Sequence, residues 1–197
     1  MIGWDMLSKK QVPNALTYSR IVVIPLFIAI FYWDSKLSHW LAAGLFLYAS
    51  ITDFLDGYFA RAWKATSNIG RFLDPIADKL LVATALLMLV ATGRADVLPA
   101  IAIVCREILV SGLREFLAEL RISVPVSQLA KFKTTAQLIA ILLLLISPAL
   151  PAWLYAREIG DGLLWIAAAL TLLTGYVYLK TGIVHLAADD ARRGDSE

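Results

Sequence analysis

Long apolar segments dominate the pattern of hydrophobic and polar positions along this chain. Six such segments are separated by short polar stretches, and none alternates between apolar and polar positions as the strands of a membrane barrel do. They lie at residues 15–33, 40–62, 72–92, 97–120, 130–150 and 163–186. Because an α-helix of about 20 apolar residues crosses the hydrocarbon core of a bilayer, the pattern predicts six transmembrane helices.

The first twelve residues follow a different pattern. Residues 1–12 mix apolar side chains with Lys9 and Lys10, as helices that lie on a membrane surface do. Pro13 and Asn14 follow, and we expect them to break the chain before the first span. Lysines ahead of an apolar run also occur in signal peptides, but no small-residue cleavage pattern follows here. We therefore predict an all-α integral membrane protein with a short N-terminal amphipathic juxtamembrane helix.

The composition supports a membrane protein. Hydrophobic residues make up 59% of the 197 residues and charged residues 17%, whereas soluble domains carry about a quarter charged residues. The mean hydropathy is +0.71. Six spans would use nearly the whole chain, so we predict a single membrane domain over residues 1–197. The one cysteine, Cys105, excludes an internal disulfide and a thiolate zinc cluster.

The placement of basic residues predicts the orientation in the membrane. If the N-terminus is cytoplasmic, 12 of the 18 lysines and arginines lie on that side, three lie on the opposite side and three lie within spans. Lysine and arginine concentrate in cytoplasmic loops. We therefore predict a multi-pass protein of the cell (inner or cytoplasmic) membrane, with both termini in the cytoplasm.

Four aspartates lie toward the cytoplasmic ends of the second and third spans. Asp53 and Asp56 are three residues apart on one predicted helix. Asp74 and Asp78 are four apart on the next, so each pair projects from one helix face. Because each charge at membrane depth costs about 2.5 kcal/mol or more, such a cluster requires cations. Hard oxygen ligands favour Mg²⁺, Mn²⁺ or Ca²⁺ over zinc, and two divalent ions would balance the four charges.

Small residues and an arginine accompany these acids. Gly57 and Gly70 leave space for a bulky group to approach the backbone. Ala60 would keep the same groove open, and Arg61 suits a phosphate. The alternative is that the acids cap helix ends or pair with arginines. Four acids at these spacings, together with both glycines, favour pyrophosphate chemistry at a two-metal site facing the cytoplasm.

The same spacing resembles a known signature. From Asp53 to Asp78 the sequence follows D-x2-D-G-x2-A-R-x8-G-x3-D-x3-D, which is similar to the motif of the CDP-alcohol phosphatidyltransferases. Three further segments resemble the bacterial phosphatidylglycerophosphate synthase branch of that family. They are VPNALTYSR at 12–20, CREILVSGLRE at 105–115 and KFKTTAQ at 131–137.

This resemblance implies a six-helix membrane enzyme, usually dimeric, that moves a phosphatidyl group from CDP-diacylglycerol to a small alcohol and releases CMP. It implies that two divalent metal ions, Mg²⁺ or Mn²⁺, are held by Asp53, Asp56, Asp74 and Asp78, and that Asp78 also acts as the base. The predicted CDP-binding residues are Asn14, Thr17, Asp56, Gly57, Ala60, Arg61, Gly70 and Asp74. A nucleotide or phosphate contact from Arg20 is an open alternative.

Basic residues of the fourth and fifth spans suggest the acceptor. The predicted acceptor-binding residues are Arg106, Arg114, Lys131 and Lys133. An intramembrane arginine normally faces the bundle interior or a water-filled cavity. Four cations beside a two-metal site favour an anionic acceptor, and glycerol 3-phosphate fits better than choline or ethanolamine. The alternative is that lysines contact lipid head groups and that glutamates neutralise the arginines; these glutamates are Glu107, Glu115 and Glu119.

Other functions stay open from the residues alone. The same chemistry could use another acceptor, such as inositol phosphate, serine or phosphatidylglycerol. A divalent-cation or proton-coupled transporter also carries carboxylates in the membrane, but its acids would be distributed through the depth of the bundle. A scaffold without activity gives no reason for clustered charge. We expect CDP-diacylglycerol, glycerol 3-phosphate and membrane lipids as partners, a homodimer, and no nucleic acid.

Overall fold

The computed structural model contains six α-helices in the part of the chain that it describes. It describes residues 3–33, 35–63, 68–120 and 128–194. Within these ranges, only the backbone is described for residues 3–16, 56–63, 68–72, 74, 75, 128, 130, 131 and 185–194. The helices are α1 (Gly3–Phe31), α2 (Lys36–Trp63), α3 (Asn68–Ala91), α4 (Val97–Glu119), α5 (Gln128–Ile146) and α6 (Ala156–Gly194). Two short 3₁₀ turns, Ser147–Ala149 and Ala152–Leu154, lie between α5 and α6. Every regular element in the described ranges is helical, which confirms the predicted all-α class.

The first helix shows that the predicted break at Pro13 and Asn14 is wrong. α1 continues through both residues, so residues 3–12 belong to the same helix as the first apolar segment. Asn14 therefore lies inside α1 and does not begin a helix. A proline within a helix removes one hydrogen bond and crowds the carbonyl four residues earlier. That local cost does not end the helix here, and α1 as a whole packs along both α2 and α3.

Each predicted apolar segment coincides largely with one helix, but the helices α1, α2, α3 and α6 are longer than their segments. α6, for example, has 39 residues and continues into the charged stretch that follows Ala188. Hydropathy detects only the apolar part of such a helix, whereas backbone hydrogen bonding continues into polar sequence. α4 begins at a capped end, where the Asp96 side chain accepts a hydrogen bond of 3.0 Å from the backbone N–H of Leu98.

The chain divides into two compact units. The first unit comprises Met1–Ala95 and Ile141–Gly160, and the second comprises Asp96–Ala140 and Asp161–Glu197. In the first unit α1 packs along α2 and α3, and α2 also contacts α3. Each unit has buried apolar side chains of its own, such as Phe46 in the first and Ile103 in the second, both fully buried. The predicted aspartates lie in the first unit and the predicted acceptor-binding cations lie in the second.

The surface of the described helices is apolar, and several charged or polar side chains are buried. Phe54 is 70% exposed and Leu87 is 65% exposed, whereas Arg20 is fully buried and Lys133 is 4% exposed. Soluble proteins show the opposite, because lysine and arginine are almost never fully buried and large apolar patches are rare on their surfaces. This distribution fits a protein whose surroundings are hydrocarbon.

Two helical stretches in the described part of the chain are long and apolar enough to cross a membrane. They are Phe132–Ala149 and Ala152–Val184, and Thr17–Phe31 is a shorter apolar helix. The other helices also contain charged residues, such as Asp53 in α2 and Arg106 in α4. The apolar helices and the apolar outer surface together identify a membrane protein.

Candidate active site

Two neighbouring helices of the first unit carry the four predicted metal-binding aspartates. Asp53 and Asp56 lie one turn apart on α2, and Asp74 and Asp78 lie one turn apart on α3. The side chains of Asp56 and Asp74 lie outside the described set. Asp53 is half-buried and Asp78 is exposed. α2 and α3 contact each other, and both pack against α1. The two acidic segments therefore belong to one group of packed helices.

A buried arginine links α1 to the acidic segment of α2. The guanidinium of Arg20 donates a hydrogen bond to Oδ1 of Asp53 and forms an ion pair with it. Arg20 is fully buried, and Thr17, one turn earlier on α1, is 1% exposed. Burying a guanidinium is costly unless a carboxylate compensates its charge. The pairing therefore gives Arg20 a structural role at the aspartate motif, and its nucleotide or phosphate contact stays a prediction.

The donor chemistry of the described aspartates fits a hard divalent cation. Among the described side chains no three His, Cys, Asp or Glu residues come together to hold a metal ion, but two of the four predicted ligands lie outside that set. The side chain of Asp53 remains 41% exposed despite its pairing with Arg20. The side chain is therefore not fully enclosed, and carboxylate oxygen is the donor that Mg²⁺ and Mn²⁺ prefer.

Most of the predicted CDP-binding residues fall where only the backbone is described. Thr17 is the exception, and its side chain is buried on the face of α1 that also carries Arg20. Four of the other seven lie on α2, toward its C-terminal end, namely Asp56, Gly57, Ala60 and Arg61. Asn14 lies on α1, and Gly70 and Asp74 lie on α3.

Two of the predicted acceptor-binding cations share one carboxylate in the second unit. Lys133 of α5 forms an ion pair with Oε1 of Glu107 on α4. Arg106 lies 3.4 Å from the same oxygen and donates a second hydrogen bond, of 3.1 Å, to Oγ1 of Thr174 on α6. α4, α5 and α6 are thus connected through one polar group. Neutralisation by Glu107 was an alternative at the sequence level, and the structure shows that the contact exists.

Of the other two predicted acceptor-binding cations, only Arg114 has a described side chain. The guanidinium of Arg114 lies over the ring of Tyr178, 5.7 Å from its centroid, a distance suited to a cation–π interaction. Arg114 is exposed. The side chain of Lys131 lies outside the described set. Glu115, a possible neutraliser of the arginines, accepts a hydrogen bond of 3.3 Å from the hydroxyl of Ser111.

Thr174 and Gly175 are contacts of Arg106 that sequence reasoning missed. A Cβ atom built on Gly175 would lie 2.8 Å from Cγ of Arg106 and 3.2 Å from its Nε. Arg106 therefore passes directly over the backbone of α6 at this glycine. The only sequence signal is a threonine followed by a glycine inside an apolar helix, which is too common to identify a contact 68 residues away.

A family model described as CDP-alcohol phosphatidyltransferase matches residues 10–173, which include both acidic segments and the Arg106, Glu107 and Lys133 positions. The chain belongs to the CDP-alcohol phosphatidyltransferase family. This confirms the family predicted from the aspartate motif.

Curated relatives named CDP-diacylglycerol–glycerol-3-phosphate 3-phosphatidyltransferase are similar over most of the chain. The relative from Rickettsia typhi is 48% identical over 171 residues, which are 87% of this chain and 96% of the relative. The relative from Pseudomonas fluorescens is 42% identical over 184 residues, or 91% of this chain and 93% of the relative. The relative from Shigella flexneri serotype 5b is 41% identical over 174 residues, or 86% and 93%.

Proposed function

We propose that this enzyme transfers the phosphatidyl group of CDP-diacylglycerol to glycerol 3-phosphate, giving phosphatidylglycerophosphate and CMP. The observation that carries the proposal is the similarity to relatives of that printed name, at 41–48% identity and over at least 86% of the chain. The aspartates on α2 and α3 agree with this reaction. Its product class is an anionic phospholipid precursor, so the enzyme acts in phospholipid biosynthesis.

Asp53, Asp56 and Asp74 hold two divalent metal ions in this proposal, and Asp78 contributes to the same group. Bound ions would neutralise charge on the attacked phosphate and on departing CMP. Asp78 accepts the proton of the attacking hydroxyl as the new phosphorus–oxygen bond forms and the bond to CMP breaks. The exposure of the Asp78 side chain supports this role, because a base must come within hydrogen-bonding distance of the acceptor.

CDP would lie along the motif of α2 and α3. The residues proposed to bind it are those predicted from the sequence, Asn14, Thr17, Asp56, Gly57, Ala60, Arg61, Gly70 and Asp74. The glycines would leave room for the nucleotide near the backbone, and Arg61 would pair with a phosphate oxygen. The acyl chains of the donor remain in hydrocarbon while its head group enters the polar site.

Arg106, Arg114, Lys131 and Lys133 would bind the phosphate of the acceptor. Guanidinium groups suit a phosphate because they present paired donors in one plane. Lys133 is buried and Arg106 is partly buried. Because they share one carboxylate, the pair keeps one net positive charge that can attract a phosphate. This assignment separates glycerol 3-phosphate from serine, which lacks a phosphate.

An acceptor comparison tests the proposed reaction. Purified enzyme in lipid vesicles is given CDP-diacylglycerol and Mg²⁺ with one of four acceptors, and CMP release is measured. We expect glycerol 3-phosphate to give a kcat/KM at least about 100-fold above those for serine, inositol phosphate and phosphatidylglycerol. A higher value for any other acceptor would transfer the assignment to that acceptor, and no CMP release with all four would refute the enzyme activity.

Residues 1–197 form one membrane domain in this proposal, with six spans near the segments predicted from sequence and both termini in the cytoplasm. The length of each helix supports it, because 19 residues in α5, the shortest, still extend for about 28 Å. The N-terminal part of α1 would lie near the surface of the inner (cytoplasmic) membrane. The site would face the cytoplasm, and the enzyme would be a homodimer.

Cysteine labelling tests this topology. Cys105 is the only cysteine and is exposed, so the single cysteines are introduced in a Cys105→Ser background. We expect Lys36→Cys and Glu158→Cys to react with a membrane-impermeant maleimide in intact cells. Ser67→Cys and Ser123→Cys should react only after permeabilisation. Labelling of either serine position in intact cells would overturn the cytoplasmic location of the site.

A further inference from the structure

A polar cluster connects the three helices of the second unit. We define the Glu107 cluster as Arg106 and Glu107 on α4, Lys133 on α5 and Thr174 on α6. Glu107 is the shared partner, since both cations contact its Oε1 atom. Its side chain is 26% exposed, whereas those of Lys133 and Arg106 are 5% and 13% exposed. The carboxylate therefore holds two cations that have little access to surrounding solvent or lipid.

The charge of the cluster is not balanced internally. Two cations and one carboxylate leave a net charge of one positive unit, in a unit whose other buried side chains are mostly apolar. The guanidinium of Arg106 keeps one donor without a partner, because its buried Nε has no hydrogen-bond partner among the described residues. Buried polar atoms in native proteins nearly always have a partner. The cluster thus retains both positive charge and an unused donor.

Two further buried oxygen atoms lie on the helix faces that carry the cluster. Gln137 is one turn after Lys133 on α5, and Thr171 is one turn before Thr174 on α6. Gln137 Oε1 and Thr171 Oγ1 are both buried and have no hydrogen-bond partner in the described part of the chain. Such atoms indicate a water molecule or polar ligand. Positive charge with additional hydroxyl-binding groups suits a small phosphorylated polyol.

Arg106 is positioned from both sides. Glu107 and Thr174 bind its terminal nitrogens, while the missing side chain of Gly175 provides the space through which its aliphatic part passes. By contrast, a Cβ on Gly162 of the same helix would meet nothing within 4 Å. Cβ atoms on Gly160 and Gly182 of α6 would also be crowded, but by the side chains of Leu144 and Leu113. Among the described glycines of α6, Gly175 is therefore the one that Arg106 lies against.

We propose that Glu107 is a positioning residue, which holds Lys133 and Arg106 in the orientation that binds the phosphate of the acceptor. The proposal rests on the proposed transfer to glycerol 3-phosphate and goes beyond it by assigning a role to a carboxylate. Glu107 does not touch the acceptor, since an anion would repel a phosphate. It acts through the two cations, whose long side chains would otherwise adopt several rotamers.

The sign of the effect on KM separates positioning from simple repulsion. If Glu107 only repelled the acceptor, Glu107→Gln would lower the KM for glycerol 3-phosphate. If it positions the cations, the same isosteric change raises that KM by about tenfold, the loss expected for one charge-assisted contact. The KM for CDP-diacylglycerol should stay within about twofold, because only the acceptor contacts are affected.

A double-mutant cycle then tests whether Glu107 acts through Lys133. We expect Lys133→Gln to raise the KM for glycerol 3-phosphate, and Glu107→Gln to add little in the Lys133→Gln background. A lowered or unchanged KM in Glu107→Gln, with Lys133→Gln still impaired, would overturn the positioning role alone. An unimpaired Lys133→Gln, or a wild-type enzyme without turnover on glycerol 3-phosphate, would overturn the proposed acceptor site or reaction, and this inference with it.

Thermal unfolding shows whether Glu107→Gln is folded. If it is not, two further variants test the same proposal. Glu107→Asp keeps the charge but withdraws it by one methylene, and we expect a KM increase of about threefold. Gly175→Ala should displace Arg106 and raise the same KM by a similar factor, whereas Gly162→Ala should leave it unchanged. Wild-type KM values in both Glu107→Asp and Gly175→Ala would overturn the proposal.

Discussion

Asp78→Asn should lower the rate of CMP release at least about a thousandfold, within the range that general-base catalysis contributes. Asparagine has nearly the same shape but cannot accept the proton of the attacking hydroxyl. Asp78 is exposed on α3, so the isosteric substitution should not disturb the packed core and the fold should be retained. Binding of CDP-diacylglycerol should therefore remain measurable while turnover is lost.

The measurement combines single-turnover CMP release with direct binding of CDP-diacylglycerol in detergent micelles. Asp96→Asn is the matched control, because Asp96 is an exposed aspartate that caps α4 and asparagine caps equally well. The control should keep wild-type turnover. Turnover by Asp78→Asn within tenfold of wild type would remove Asp78 from the role of base, and loss of donor binding would indicate a role in holding the substrate.

Asp53→Asn should reduce activity about 100-fold and increase the Mg²⁺ concentration for half-maximal activity about tenfold or more, since a metal ligand contributes both affinity and charge neutralisation. It should also reduce stability by about 1–3 kcal/mol, because Arg20 is fully buried and the amide no longer compensates its charge. Loss of metal affinity together with loss of stability is the expected signature of a ligand that also anchors α1.

Arg20→Lys separates these two effects. It weakens the pairing with Asp53 but leaves the carboxylate, so it should lower the unfolding temperature without increasing the Mg²⁺ requirement. In wild-type enzyme an excess of chelator should stop CMP release, and added Mg²⁺ or Mn²⁺ should restore it. Activity in excess chelator, or an unchanged Mg²⁺ requirement in Asp53→Asn, would contradict the proposed metal site.

The aspartate motif could be predicted from the sequence because its geometry depends only on residues close together in the chain. Spacings of three and four residues place side chains on one helix face whatever the rest of the fold does. The helical segments were readable for a similar reason, since each depends on a continuous run of apolar residues. The family assignment followed from the same local pattern and is now supported by a match over residues 10–173.

Contacts between helices were not predictable from that pattern. The partners Arg20 and Asp53 are 33 residues apart, and Lys133 and Glu107 are 26 apart. Which carboxylate a buried cation contacts depends on how the helices pack. The spacing of residues in a single sequence does not show this packing. The continuity of α1 through Pro13 was also missed, since the local preference of proline to end a helix does not decide the structure of this segment.

Small side chains recur among the buried positions of the first unit. Ala42, Ala49, Ala77 and Ala85 are all between 0 and 3% exposed. In hydrocarbon, water does not drive helices together, and cohesion comes from van der Waals contact at short interaxial distances. If a lipid-facing leucine is replaced by a smaller residue, a lipid tail can fill the volume. If a buried alanine is replaced by a larger residue, the closely packed helices leave no space for it. We therefore expect this enzyme to tolerate smaller side chains on its lipid-facing surface far better than larger side chains between its helices.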